Sequence, residues 1–279
     1  SETERDPLHA SSFGTGELVR HAMEANAHEI LLGLGGSATT DGGAGAASAL
    51  GIRYLDQDGN TIQNGLQLSR LVRVDDTHRV QGFEACHFTI ACDVTNPLYG
   101  PDGAAAIYAP QKGASPAQVS LLDSGLETLA RVIRQQTGID LQTIPGTGAA
   151  GGVAVPFLVY GNSTLRRGVD VVLDAVRFDE QLEGCDLVIS GEGSTDRQSS
   201  MGKAVSGIAR RCKDQKVPLL ILSGSLETGY ELLYEQGVTA FFSTTRKITT
   251  LSAAMVSAEA SLASACEDVF RLIQTFHPL

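Results

Sequence analysis

The sequence has no tryptophan, and aromatic residues make up only 5% of it. Large stacking surfaces for nucleobases or planar cofactors are therefore not expected. Basic residues are also scarce, because 21 lysines and arginines stand against 32 aspartates and glutamates, for a formal net charge of −11. Such a surface repels polyphosphate backbones and anionic lipids, which argues against nucleic acid and membranes as partners. An anionic small substrate stays open, because a few cations or amide dipoles can reverse the field locally.

Cysteine pairs and long apolar runs are lacking as well. The five cysteines are widely spaced, with no C-x-x-C pair and no histidine at zinc-ligand spacing, so they are predicted to be reduced thiols. No apolar run reaches the roughly 18 residues of a membrane span. The first residues, SETERDPLH, have neither the basic nor the apolar region of a signal peptide. The sequence therefore predicts a cytoplasmic protein.

Several familiar catalytic signatures are also missing. Lys203 is followed by Ala204 and lacks the earlier glycine of a P-loop, and neither H-E-x-x-H nor G-x-S-x-G occurs. The six histidines are scattered, and each is predicted to be a surface or structural residue. The segment GTGAAG, residues 146–151, matches the dinucleotide fingerprint, but the preceding QTIP is a poor buried strand. Close packing and phosphate binding explain these glycines about equally well.

What the sequence does contain is a regular alternation of strands and helices. From Cys185 onward, the apolar segments CDLVIS, VPLLILS and VTAFFS alternate with helical segments near 202–213 and 228–235 and from about 251. This βαβαβα order predicts a parallel sheet, with ligands beyond the carboxyl ends of its strands. The segments GEGSTDRQSS, SGSLET and STTRKITT are predicted to be loops at that end.

The earlier part of the chain shows related patterns. A helix is predicted at 16–27, followed by the strand EILLGL and by the Gly-rich turn GGSATTDGG, which leads into an alanine-rich helix. The D-G turn in YLDQDGNTI predicts a hairpin, and HFTIACD predicts a strand. A helical apolar repeat over 115–136 predicts a helix that Ser115 caps, with Pro116 in its first turn. The middle of the chain is thus predicted to be a separate α+β module.

Four acidic residues lie in glycine-rich segments at predicted strand ends. They are Asp41 in GGSATTDGG, Asp93 in ACDVTNPLYG, and Glu192 and Asp196 in GEGSTD. A turn aspartate commonly bonds only its own backbone. Several carboxylates beside glycines nevertheless fit a site that holds Mg²⁺ and takes a proton from an alcohol.

Two lysines adjoin glycines in the same way, Lys112 in APQKG and Lys203 in SSMGK. An isolated lysine is usually solvated surface. A neighbouring glycine, however, leaves backbone N–H groups available to join the ammonium in binding an anion. Together with the carboxylates, these lysines make phosphoryl transfer a reasonable interpretation.

Six segments, in order, resemble the motifs of the type I glycerate kinases: SFGTGEL, GLGGSATTDGGAG, ACDVTNPLYG, PQKG, PGTGAAGG and GEGSTDRQSSMGK. The resemblance covers nearly the whole chain. It implies a flavodoxin-like α/β domain, formed by residues 1–50 and 185–279, that is interrupted by a second α/β domain at residues 51–184. It also implies Mg²⁺-assisted transfer of the ATP γ-phosphoryl group to D-glycerate, usually giving 2-phosphoglycerate. A kinase for a related hydroxy acid, and a ligand-binding member without turnover, stay open as alternatives.

The resemblance also suggests roles for single residues. Asp93 and Asp196 are assigned to the base or metal role, and Lys203 and Lys112 to phosphate. The residues predicted to bind the nucleotide or the substrate are Gly35, Gly36, Ser37, Asp41, Asn96, Gln111, Lys112, Gly148, Glu192 and Gln198.

The sequence departs from the family pattern in three places. Ser194 replaces the arginine of the family's GEGR, with Arg197 as a candidate substitute, and Thr40 replaces the usual asparagine. The family's PDSFK-like and ADGGEGT-like segments do not precede Ser1. We therefore expect a sheet edge that is filled by a strand from elsewhere or covered by homo-oligomerisation, and little glycerate phosphorylation by these residues alone.

Overall fold

The computed structural model describes residues 5–200 and 204–276. The α-helices in these ranges are α1 (Phe13–Glu24), α2 (Ala44–Ala49), α3 (Ala104–Tyr108), α4 (Pro116–Thr137), α5 (Val155–Tyr160), α6 (Gly168–Ala175), α7 (Phe178–Leu182), α8 (Ala204–Gln215), α9 (Leu232–Gln236), α10 (Leu251–Val256) and α11 (Ala258–Phe276). The strands there are β1 (Glu29–Gly33), β2 (Arg53–Leu55), β3 (Arg73–Asp75), β4 (His87–Ala91), β5 (Asn162–Arg166), β6 (Val188–Thr195), β7 (Leu219–Leu226) and β8 (Ala240–Ser243). None of the helices in the described part is long and apolar enough to cross a membrane.

The chain divides into two compact units, Ser1–Gly168 and Val169–Leu279. The sheets β1-β4-β5 and β6-β7-β8 are parallel, which confirms the predicted α/β class. The division differs from the predicted boundaries, which grouped residues 1–50 with 185–279 and made 51–184 an inserted domain. The difference arises because β1 pairs with β4 within the first unit, a long-range pairing that no local pattern specifies.

The core of the first unit is built on the middle strand of its sheet, β4. Phe88 on this strand is fully buried, and its ring lies 5.1 Å from the rings of both Phe83 and Phe157, measured between centroids. Tilted aromatic pairs at such distances add to the free energy that comes from area burial alone. The predicted hairpin in YLDQDGNTI is present as a turn closed by a single bridge between Leu55 and Thr61, whereas β2 pairs mainly with β3.

Helix α4 confirms the predicted helix over 115–136. Ser115 accepts a hydrogen bond from the backbone N–H of Gln118, and the Gln118 side chain accepts one from the backbone N–H of Ser115, which completes a capping box. Pro116 occupies the first turn, and Gly138 ends the helix with a φ of 78°. Four residues of the predicted apolar repeat are fully buried, namely Leu122, Leu126, Leu129 and Ile133.

Replacing Ser115 by alanine should lower the free energy of unfolding by about 1 kcal/mol, because the N-cap acceptor is lost while the apolar face stays intact. Urea unfolding of the wild type and the variant measures this change. Ser120→Ala is the matched control, since the Ser120 hydroxyl only bonds the carbonyl of Pro116 within the helix. Equal stability of Ser115→Ala and wild type would contradict a stabilising role of the cap.

The second unit has the predicted alternation of strands and helices, but its strands are longer than expected. GEGST and SGSL are parts of β6 and β7 rather than loops, with Glu192 opposite Ser223. A Cβ at Gly191 or Gly224 would collide with a carbonyl of the neighbouring strand. These glycines therefore permit close strand pairing instead of forming a turn. The predicted final helix is two helices, α10 and α11, on either side of Ser257.

Candidate active site

Lys112 is a buried lysine of the first unit, only 7% exposed. It lies in the short 3-10 helix Pro110–Lys112, which Gly113 ends at a φ of 98°. Its Nζ donates hydrogen bonds to Ser37 Oγ at 3.0 Å and to the carbonyl of Thr39 at 2.6 Å. Because an ammonium has three donors, a third N–H is left over from these two bonds. Burial lowers the pKa of Lys112 to about 8, although the charge of Asp41 acts in the opposite direction.

A cavity of about 840 Å³ lies beside this lysine. Its lining residues are Arg5, Asp6, His9, Ala10, Gly36, Ser37, Ala38, Gln111 and Lys112. The loop at 35–38 follows the carboxyl end of β1, where ligands of parallel sheets bind. Gly36 has a φ of 63°, and an added Cβ would meet no atom within 4 Å, so the backbone conformation rather than crowding favours glycine there. The cavity thus brings together Gly36, Ser37, Gln111 and Lys112 from the predicted set, with Gly35 next in the chain.

Asp41 is completely buried just before α2. Its carboxylate accepts hydrogen bonds from the N–H and the hydroxyl of Ser12, at 2.8 and 2.7 Å, and from the N–H groups of Gly43 and Gly45, at 3.1 and 3.2 Å. Burial raises the pKa of Asp41, while these four hydrogen bonds lower it. The carboxylate joins the start of α1 to the Gly-rich loop, so the geometry favours a structural role. Direct binding of substrate by Asp41 stays a prediction.

The segment 146–151 packs against other loops of the first unit. The N–H of Gly148 donates to the carbonyl of Asn96 at 3.0 Å, and the carbonyl of Gly151 accepts the N–H of Gly42 at 2.9 Å. A Cβ on either Gly148 or Gly151 would overlap neighbouring backbone carbonyls. The segment follows a 3-10 helix rather than a β-strand. Its glycines therefore serve close packing, and the strand-to-helix turn of a dinucleotide fingerprint is not formed here.

Asp93 and Asn96 follow the carboxyl end of β4. Asp93 is exposed, and its Oδ1 accepts the N–H of Gly168 at 2.8 Å. The Asn96 side chain instead braces its own loop, donating to the carbonyl of Asp102 at 2.9 Å and accepting the Tyr108 hydroxyl at 2.6 Å. Of the two side chains, Asp93 is the one whose exposure suits contact with a substrate or a metal ion.

Glu192 lies within β6 and Asp196 just after it, in the second unit. Glu192 Oε1 is buried and has no hydrogen-bond partner among the described residues. A buried carboxylate oxygen without a partner is costly, which makes it a candidate ligand for a cation or a hydroxyl group. Asp196 follows the strand directly, and its Oδ1 accepts the N–H of Ser199 at 3.0 Å and the Ser199 hydroxyl at 3.4 Å.

Hydroxyl groups line the same end of the second sheet. Thr195 Oγ1 donates to Ser223 Oγ at 2.9 Å, and Ser225 Oγ donates to Ser194 Oγ at 2.9 Å. Ser194, at the position of the family's arginine, therefore belongs to a network of neutral hydroxyls. The sequence interpretation did not single out Ser223 or Ser225, which only the pairing of β6 with β7 brings beside GEGST.

Two further predicted site residues come later in this segment. Gln198 falls in the short 3-10 helix Arg197–Ser200, and Arg197, the candidate substitute for the family arginine, comes directly after Asp196. Lys203 lies outside the described residues. The roles of these residues stay predictions.

Three polar residues on the wall of the cavity were missed by the sequence interpretation: Arg5, Asp6 and His9. Arg5 Nη1 donates to the carbonyl of Gln111 at 2.9 Å. Asp6 Oδ1 accepts the N–H groups of Leu8 and His9, at 3.2 and 3.3 Å, and Asp6 Oδ2 lies 2.7 Å from His9 Nδ1. The contact between Asp6 and His9 could have been predicted from the local sequence. A turn that begins at an aspartate brings the side chain three residues later beside its carboxylate.

Comparisons with known proteins identify the family of the chain. The glycerate kinase family model matches residues 1–274. The chain belongs to the glycerate kinase family. The glycerate kinase of Bacillus cereus is 40% identical over 266 residues, which cover 95% of this chain and 70% of that protein. The glycerate 2-kinase of Escherichia coli K12 is 39% identical, with the same two shares.

A solved structure gives the same result for the fold. A crystal structure described as glycerate kinase 2 from Salmonella typhimurium LT2 matches with a TM-score of 0.82 and 39% identity, over 99% of this chain and 72% of that one. These matches confirm the family that the six ordered motifs predicted. They also confirm the predicted enzyme class, a kinase with small-molecule substrates.

Proposed function

We propose that this glycerate kinase family member transfers the γ-phosphoryl group of ATP to a hydroxyl of D-glycerate, giving 2-phosphoglycerate and ADP with the help of Mg²⁺. One observation carries the proposal. In this chain, the buried ammonium of Lys112 lies beside Ser37 and the loop at 35–38, on the wall of a cavity of about 840 Å³. A small hydroxy acid and a transferred phosphoryl group are both anionic, so both fit such a site.

The arrangement around Lys112 suits the chemistry of phosphoryl transfer. The reaction needs its groups to be positioned and their charge to be neutralised, rather than a covalent intermediate with the protein. The third N–H of Lys112 and the loop at 35–38 hold one anionic group of the reactants. Because Lys112 is buried, its charge acts on that anion with less screening by water than a surface lysine would.

The described residues also fit a bound Mg²⁺. No three His, Cys, Asp or Glu side chains in the described ranges come close enough to hold a metal ion by themselves. A Mg²⁺ ion that also binds nucleotide phosphates needs only one or two carboxylates and keeps several waters. Asp196 is the proposed ligand in the second unit, where the Oε1 of Glu192, which has no partner among the described residues, supports a cation beside β6. Asp93 is the other candidate ligand, in the first unit. When bound, the ion neutralises charge on the phosphates.

An assay of product formation tests the proposal. The wild type is incubated with ATP, Mg²⁺ and D-glycerate, ADP release is followed in a coupled assay, and ³¹P NMR identifies the product. We expect 2-phosphoglycerate as the product, even where turnover is low, and a clear preference over L-glycerate, glycolate and D-lactate. Release of 3-phosphoglycerate would correct the position of transfer, and a preference for another hydroxy acid would make the chain a related kinase. No ADP release with any of the four acids would contradict a catalytic role of this chain.

ATP with Mg²⁺ should raise the melting temperature. A ligand that binds only the folded state at 100 times its Kd stabilises it by about 2.7 kcal/mol. Differential scanning fluorimetry with ATP, with ATP plus Mg²⁺ and with NAD measures the effect. A shift with NAD, and none with millimolar ATP, would contradict ATP as the co-substrate.

A further inference from the structure

We infer that Asp6 and His9 form a catalytic pair, in which His9 Nε2 accepts the proton of the substrate hydroxyl as that hydroxyl is phosphorylated. The inference rests on the proposed function and adds to it the identity of the general base. It starts from three observations in the first unit: a carboxylate and an imidazole in contact, a cavity that both of them line, and a buried ammonium on the wall of the same cavity.

The contact between Asp6 and His9 determines which ring nitrogen can act. An ionised carboxylate only accepts hydrogen bonds, so the 2.7 Å contact between Asp6 Oδ2 and His9 Nδ1 requires the proton on Nδ1. In the neutral ring, Nε2 then has a lone pair and can accept a proton. The hydrogen bond from His9 lowers the pKa of Asp6, which keeps this carboxylate charged. A charged partner also stabilises the imidazolium that forms after proton transfer.

The turn around Asp6 holds this pair in place. Its other oxygen, Oδ1, accepts the backbone N–H groups of Leu8 and His9 at 3.2 and 3.3 Å, so the carboxylate is anchored to the turn that carries the imidazole. The His9 side chain is 59% exposed, and it lines the cavity and is open to a ligand. A base that is oriented by a third group and is accessible from a cavity meets the geometric demands of general base catalysis.

The remaining groups on the cavity wall suit the substrate of this step. Arg5 and Lys112 are cationic, and Asp6 is the only carboxylate among the described residues that line the cavity. An anionic hydroxy acid held by Lys112 and the loop at 35–38 presents its hydroxyl inside the same cavity as His9. The histidine therefore supplies the one function that the two cations cannot perform, which is to accept a proton.

The substrate hydroxyl oxygen forms a bond to the γ-phosphorus of ATP, and the bond between that phosphorus and the bridging oxygen breaks. The electron pair of the broken bond leaves with ADP. The hydroxyl proton moves to Nε2 of His9, and the imidazolium returns it to water after the products leave.

The first test compares His9→Gln with the wild type. The variant should lose about 100-fold in kcat, with the KM for D-glycerate changed by less than about threefold, because the proton acceptor is removed while the anion site stays. Asp6→Asn should lower kcat by a smaller factor of about 10, because the variant keeps the His9 imidazole but loses the carboxylate that orients it. His21→Gln, an exposed histidine on α1, is the matched control and should keep wild-type kinetics.

A rescue experiment separates catalysis from a structural role. Free imidazole should restore part of the lost kcat of His9→Ala, because it can accept the proton in place of the missing ring, and it should leave the wild-type kcat unchanged. The charged groups that the structure describes on the cavity wall, Asp6, Arg5 and Lys112, are retained in that variant. Near-normal kcat in His9→Gln, or no rescue of His9→Ala by imidazole, would overturn the inference.

A measurement without turnover keeps the inference separate from the proposed function. Wild-type activity on D-glycerate alone decides the proposed function. Independently, saturating D-glycerate should slow the acylation of His9 by diethyl pyrocarbonate at least fivefold, as measured by peptide mass spectrometry, while His21 reacts at an unchanged rate. Equal acylation of His9 with and without D-glycerate would overturn the inference even in an inactive chain.

Discussion

Replacing Lys112 by methionine should lower kcat/KM for D-glycerate by roughly 100- to 1000-fold, the size of effect found when one preorganised donor to a developing anion is removed. Methionine preserves most of the apolar stem, so the loss reports the ammonium rather than the packing. Steady-state kinetics measure it. A rise in KM for D-glycerate would indicate that Lys112 holds the substrate carboxylate, whereas a fall in kcat would indicate that it neutralises the transferred phosphoryl group.

Two controls make the result for Lys112 interpretable. Lys216→Met removes the same charge from an exposed position after α8 in the second unit and should leave the kinetics unchanged. The melting temperature of Lys112→Met shows whether the variant is folded, because the Thr39 carbonyl loses its donor in that variant. A folded Lys112→Met enzyme within threefold of wild-type kcat/KM would remove this lysine from the site.

The same lysine should make the activity fall in alkaline solution. Burial lowers the pKa of Lys112 to about 8, so its charge is present below that pH and is lost above it. Anion binding needs the charged form, and kcat/KM should therefore decrease as the pH rises through about 8. The fall should be absent from the residual activity of Lys112→Met.

Local patterns in the sequence predicted the elements that are local in the structure. Helix α4 has its cap, its first turn and its buried face within 22 residues, and each was visible in the sequence. The alternation in the second unit was visible for the same reason. The extension of β6 through Thr195 was not, because glycines that permit two strands to approach closely have the same sequence signature as glycines in a turn.

The candidate site shows the same division between local and distant contacts. The sequence predicted that Lys112 and residues 35–38 belong to the site, but not that the ammonium bonds Ser37, which is 75 residues away in the chain. The partners of Asp41 were equally hidden, because Ser12 lies 29 residues earlier. The pair of Asp6 and His9 is different, because its two residues are only three positions apart and the contact could have been predicted from the sequence. It was missed because the six histidines were treated together as scattered residues.

Asp196→Asn should lower turnover by a factor of about 100 or more, as expected for a carboxylate that binds the metal ion of the reaction. The structure makes this substitution a clean one. Asp196 Oδ1 accepts hydrogen bonds from the N–H and the hydroxyl of Ser199, and an asparagine oxygen can accept both. The turn therefore survives while the charge is lost. If Asp196 only stabilises its turn, the asparagine variant should work nearly as well as the wild type.

The measurement is kcat as a function of Mg²⁺ concentration, with Asp186→Asn, an exposed aspartate of the same unit, as the charge-matched control. A metal ligand should show a raised Mg²⁺ requirement together with the lower kcat, whereas a residue that handles only a proton should show the lower kcat alone. Near-normal kinetics of Asp196→Asn at all Mg²⁺ concentrations would leave the carboxylate with its turn-stabilising role. Asp93, the other carboxylate proposed for the metal, would then be the next residue to replace, because its exposed side chain needs no rearrangement to reach a ligand.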